Sequence, residues 1–237
     1  MKKLVFSSMT VHQSSGAEFA TRLIEPESFR MLGELSEDAS SYNMRTLATA
    51  IRLLSSKPEC MRLLVPVGMK TLDDCGGEYI GMLLSIPETY RYKMFLELTT
   101  DGAPITDSTA AFSYNIQNNC GMSLAVWSSC GDLGYVSQLM DALSPAILGI
   151  DKRCVKRACK TGERGFVLDA AELATIGGAR ILAEGIDTGE ERDSMREIGV
   201  ELLCGSAMSE MREELEGEYR RDGHLMGAHD RRHREGV

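Results

Sequence analysis

The chain has 237 residues, of which 43% are hydrophobic, 26% charged and 6% aromatic, enough apolar material for one sizeable core. Its 26 Lys and Arg against 35 Asp and Glu leave a net charge of −9, which disfavours direct binding to nucleic acid or anionic lipid. No apolar run approaches the ~20 residues a membrane span needs. Serines and His12 interrupt the apolar N-terminus too soon for a signal peptide, so the cytoplasm is the expected compartment.

With a strand expected almost at the first residue, a signal is expected to arrive through a partner or through expression level. Short apolar runs then alternate with longer amphipathic segments. The runs are Arg62–Val65, Met94–Leu98, Ser123–Val126, Ala146–Ile150, Arg180–Ala183 and Glu201–Leu203, each too short for a helix and expected as a buried strand. Helical spacing marks Ser41–Ser55, Ser108–Asn118, Val136–Leu143, Gly165–Ile176 and Glu190–Ile198. Gly121, Gly177, Gly178 and Gly199 follow these segments, where a left-handed cap favours a residue without Cβ. Such alternation predicts βαβ units, and their number suits a (β/α)8 barrel better than an open sheet. No GxGxxG or Walker-type glycine loop is present. The 7 cysteines form no CxxC pair, which argues for buried thiols rather than disulfides or zinc. A barrel domain is expected over 1–211. The Glu- and Arg-rich segment 212–237 is expected as a solvated helix fraying into a mobile tail.

Barrel ligands bind at the carboxyl ends of the strands, so the residues there matter most. They are Glu18, Pro66, Glu97, Trp127-Ser128, Gly149-Ile150-Asp151, Glu184 and Cys204. In order they resemble the EAL domain family, the bacterial cyclic-di-GMP phosphodiesterases. Leu182–Thr188, with Glu190-Glu191 and Gly199-Val200 behind it, is similar to that family's AEGVET stretch. Gly16–Arg22 resembles the ExLxR motif, Phe95–Thr99 the ExTE motif, and Gly149–Val155 the KxD segment.

The resemblance implies a two-metal hydrolytic centre, and the departures from it are what this chain makes its own. Glu18, Glu97 and Glu184 remain. The family's metal-binding asparagine corresponds to Pro66, its Asp-Asp pair to Trp127-Ser128, its catalytic lysine to Gly149 and a late glutamine to Cys204. The nearest acid after Trp127 is Asp132, too far on for a register shift to supply the missing carboxylates. Three glutamates do not make the shared oxygen shell that two divalent ions need, so neither metal, cofactor nor catalysis is expected. The surviving glutamates are expected to pair with Arg22 or Lys152.

Two functions fit. In the first, a degenerate EAL-like protein regulates bacterial signalling, motility or gene expression by contact with another protein. In the second, it binds cyclic-di-GMP without hydrolysing it, through Glu18, Arg22, Glu97, Trp127, Asp151 and Glu184. For that reading Arg22 supplies a guanidinium suited to phosphate. An active phosphodiesterase ranks last. The resemblance also allows a homodimer. For the first reading the expected contact surface is a helical stripe of Met208, Met211 and Leu215 with an acidic rim, whereas Met82, Met140 and Met195 are expected in the core.

Overall fold

A computed structural model describes residues 5–24, 38–56, 62–100, 103–128, 131–208 and 212–215. Strands β1 (Val5–Gln13) and β2 (Glu18–Ile24) form an antiparallel hairpin. There follow α1 (Asp38–Ser56), β3 (Leu63–Gly68), α2 (Met69–Leu84), α3 (Glu88–Arg91), β4 (Met94–Thr99) and α4 (Asp107–Tyr114). Next come β5 (Ser123–Ser128), α5 (Leu133–Leu143), β6 (Ile147–Ile150), α6 (Lys152–Thr161), α7 (Gly165–Ile176), β7 (Arg180–Glu184), α8 (Gly189–Ile198) and β8 (Leu202–Cys204). Last is β9 (Arg212–Leu215).

From β2 to β8 each strand pairs in parallel with the next. Strand β1 closes the ring by pairing antiparallel with both β2 and β8. The expected (β/α)8 barrel is therefore present, with one reversed strand that its βαβ pattern did not predict. Full closure leaves the eight-stranded ring without an open edge.

The apolar runs are continuous because both strand faces are buried. Leu63, Val65 and Val67 of β3 and Met94, Leu96 and Leu98 of β4 pack outward against the helices. Leu64, Phe95, Ala125, Trp127, Ile147, Leu182 and Leu202 point into the barrel. Helix ends follow local chemistry. Thr188 accepts the Glu191 N–H at the start of α8, and Gly199 ends it at φ 94°. The expected helix over Ser108–Asn118 is α4 followed by a wider π-helical turn, Asn115–Asn119.

The sheet continues past residue 211. Arg212–Leu215 pairs antiparallel with Val5–Ser8 on β1, and so is a strand rather than the start of a solvated helix. Backbone pairing to β1 overrides the helical propensity of its glutamates. The Met208, Met211 and Leu215 stripe is therefore not a helix face. Met208 lies in a turn, packed against the core, and Leu215 sits on β9. Met211 falls outside the described residues, as do residues 209–210, which include Glu210 of the expected acidic rim, and 216–237. Met140 and Met195 are buried and the half-buried Met82 packs against the same core, as expected.

Candidate functional site at the barrel mouth

Glu18 does not stand where its strand position predicts. Simple alternation would face Glu18, Ala20 and Arg22 the same way. However, Val11 pairs with Ala20 while the next residue, His12, pairs with Glu18, so Phe19 is an extra, bulged residue. The guanidinium groups of Arg180 and Arg62 both pack on its ring, 4.6 and 5.1 Å from the ring centre. Both arginines stand at strand starts, so this stack is the barrel floor. Glu18 is exposed at the amino end of β2, about 13 Å of strand before Arg22. It does not reach the mouth.

Arg22 does, and it organises everything there. Its Nε and one Nη donate to the two carboxylate oxygens of Glu97 at 2.7 and 2.6 Å. The other Nη lies 3.0 Å from Glu184. The guanidinium carbon stacks 4.2 Å from the centre of the Trp127 ring, whose indole N–H donates to Glu184 at 3.1 Å. Both guanidinium edges and one face are thus engaged. Burial works against the charge on Arg22, yet Glu97 and Glu184 hold its proton more firmly than usual. Glu97 is buried, whereas the Glu184 side chain remains 32% exposed and forms the outer lip.

The indole needs the gap beside it. A Cβ on Gly149 would lie within 2.6 Å of three Trp127 ring carbons. Trp127 and Gly149 are paired across β5 and β6, so the space a longer side chain would fill on β6 is taken by the ring from β5. Cys204 lines the same interior and donates to the Met9 sulfur at 3.0 Å. Burial pushes its thiol up to about 12, so it stays protonated at neutral pH. Pro66 is buried beside Glu97, and Ser128 is buried at the end of β5. Among the described residues, no group of three or more His, Cys, Asp or Glu side chains is placed to hold a metal ion.

Asp151 does not join Arg22. It caps α6, accepting from the Arg153 N–H at 2.7 Å. Lys152 turns to Asp187 at 3.4 Å, so of the two expected partners only Arg22 meets the glutamates. A second cluster lies beside the mouth. Lys156 of α6 donates to both Glu191 oxygens at 2.6 and 2.5 Å and reaches Asp187 at 2.9 Å. Ser206 donates to the same aspartate at 2.9 Å. These bonds tie α6, the loop after β7, the start of α8 and the turn after β8 together. Gly185, at φ 77°, lets the Lys152 stem lie against the backbone between them.

The Lys156 hydrogen bond holds the Asp187 carboxyl down at about 2, against an ordinary 3.8. A depressed carboxyl stabilises the fold fully above its ordinary value and loses that contribution as pH falls through about 2. Between pH 5 and pH 2 the urea midpoint of the wild type is thus expected to fall more steeply than that of Asp187→Asn. Parallel slopes would show the cluster to be without weight. Sequence reasoning missed Lys156. The signal was available, since Lys152, Lys156 and Lys160 recur at helical spacing opposite Val155 and Ala158.

No protein-family model matches this sequence, and no curated protein does either. Solved structures do. The EAL domain of FimX from Xanthomonas citri, in complex with c-diGMP, superposes with a TM-score of 0.76 at 15% identity, over 87% of each chain. The phosphodiesterase PaMucR, a c-di-GMP complex, gives a TM-score of 0.75 at 17% identity, over 89% of this chain and 97% of that one. Klebsiella pneumoniae BlrP1, in a manganese and cy-diGMP complex, gives 0.69 at 17% identity, over 86% of this chain and 55% of BlrP1. The protein has the fold of the EAL domains. No helix among the described residues is long and apolar enough to cross a membrane.

Proposed function

We propose that the protein is a non-hydrolysing EAL-fold regulator of bacterial signalling, working in the cytoplasm through contact with another protein. The observation that carries this reading is the position of Arg22, whose guanidinium spans Glu97 and Glu184 at 2.6 to 3.0 Å. Divalent cations in a hydrolytic EAL centre would need those carboxylate oxygens. Here a fixed side-chain cation already neutralises them, with Trp127 stacked on it. Two more metals in that space would meet a buried positive charge at contact distance, which no net attraction survives. The donor set does not fit a di-metal centre. Pro66, Trp127, Ser128 and Gly149 bring one hydroxyl and no carboxylate to the rest of the mouth.

A second reading, a cyclic-di-GMP receptor, draws on the FimX and PaMucR structures, which are complexes with that dinucleotide. Against it, the group best suited to a phosphate, Arg22, is fully engaged, and Glu184 presents a negative lip. Two measurements decide. Incubation with cyclic-di-GMP and Mg²⁺ or Mn²⁺ is expected to yield no linear dinucleotide. Calorimetric titration with the dinucleotide is expected to give no binding heat. Hydrolysis abolished by Glu97→Gln would overturn the proposal, whereas binding without hydrolysis would move the assignment to the receptor.

A further inference from the structure

Helix α6 carries an unusual charge for a chain of net charge −9. Its ten residues, Lys152–Thr161, hold five cations and no acid. Their roles divide by helix face. Cys154, Val155 and Ala158 are buried, and Lys152 and Lys156 turn toward Asp187. Arg153, Arg157 and Lys160, spaced i, i+4 and i+7, are left as one solvent-facing row about 10 Å long. The Arg153 side chain is 73% exposed and pairs with its neighbour Asp151. Among the described residues, no hydrogen bond or ion pair engages the side chain of Arg157 or Lys160.

Directly beside this row lies a cleft of about 360 Å³ lined by Gly131, Cys154, Arg157, Glu163, Gly165 and Phe166. Arg157 belongs to both, forming the edge where the charged row meets the opening. Inside, Cys154, Phe166 and two glycines offer apolar walls. Glu163 on the rim repels a carboxylate there, so acidic contacts are confined to the α6 side and the cleft takes an apolar group.

We propose that this face docks an acidic segment of a partner protein, its carboxylates on Arg157 and Lys160 and an apolar side chain in the cleft. The charge row supplies encounter and orientation, and the cleft supplies an anchor. Nucleic acid is the poorer fit. The rest of the chain repels a polyanion, and a phosphate backbone has no apolar group for the cleft. The proposal rests on the reading that the protein acts by contact, but it is tested apart from hydrolysis and dinucleotide binding.

The probes are two fluorescein-labelled acidic peptides of equal length and charge, one with a central leucine and the other with serine there. A duplex DNA oligomer is the third. Fluorescence anisotropy with the full chain is expected to give binding that weakens with added salt, with the leucine peptide favoured roughly tenfold or more. Arg157→Glu with Lys160→Glu should abolish binding of both peptides. Gly165→Leu adds a bulky group to the cleft lining at a position where a Cβ meets nothing within 4 Å. It should erase the leucine preference while leaving the serine peptide unchanged. Unaltered thermal midpoints confirm folding, and the two peptides on the wild-type protein decide the matter even if a variant does not fold. Absence of binding, equal binding of the two peptides, or DNA binding as tight as the leucine peptide would each overturn the proposal.

Discussion

Arg22→Ala is expected to destabilise the fold by about 3–5 kcal/mol, because it removes the counter-charge of a buried carboxylate and leaves that charge in the barrel. Glu97 is 4% exposed, and its two oxygens lie 2.6 and 2.7 Å from the guanidinium. Glu184 can turn to water, whereas Glu97 cannot. Arg22→Lys should recover only part of the loss, since an ammonium cannot bond both Glu97 oxygens in a fork, reach Glu184 and stack on Trp127 together. The informative comparison is Arg22→Met with Glu97→Leu, which replaces the ion pair by apolar volume. Its urea midpoint should lie above that of Arg22→Met alone. Additive losses in the double variant would mean that the pair is not coupled, and the resident-cation account of the mouth would fail with it.

Gly149→Ala is the second large effect. A methyl group there overlaps the indole, and overpacking of this kind costs about 1–3 kcal/mol. Trp127→Ala alone should cost about 3–5 kcal/mol through the cavity it leaves. Combined, the two should cost less than their sum, because the added methyl then enters vacated space. Gly149→Lys should likewise be tolerated far better together with Trp127→Ala than with the tryptophan in place. Denaturant midpoints of the two single variants and the double variant check this directly. Simple additivity would show that the ring moves aside freely, and that glycine on β6 is not required by the tryptophan on β5.

Apart from Arg22, the residues in these predictions are ones that strand periodicity picks out. Glu97, Trp127, Gly149 and Glu184 stand at the ends of apolar runs, and that periodicity is local enough to place them on the barrel mouth. What it could not reveal is that they satisfy one another. Trp127 and Glu184 are 57 positions apart, and Arg22 and Glu97 are 75 apart. Their contacts depend on register around the whole barrel.

Glu18 and β9 show where such reasoning stops. A bulge at Phe19 reversed the alternation that would have brought Glu18 inward, and one inserted residue changes every facing before it. Arg212–Leu215 has the composition of a wet helix, but β1 offers it a backbone ladder. Sequence alone determined the barrel, the order of its parallel strands and the chemistry of most side chains set at its mouth, because burial periodicity and side-chain chemistry are local properties. Only the tertiary structure decided that Arg22 lies between Glu97 and Glu184, because closing the sheet brings β2, β4 and β7 around one interior, where a buried charge must find its counter-charge.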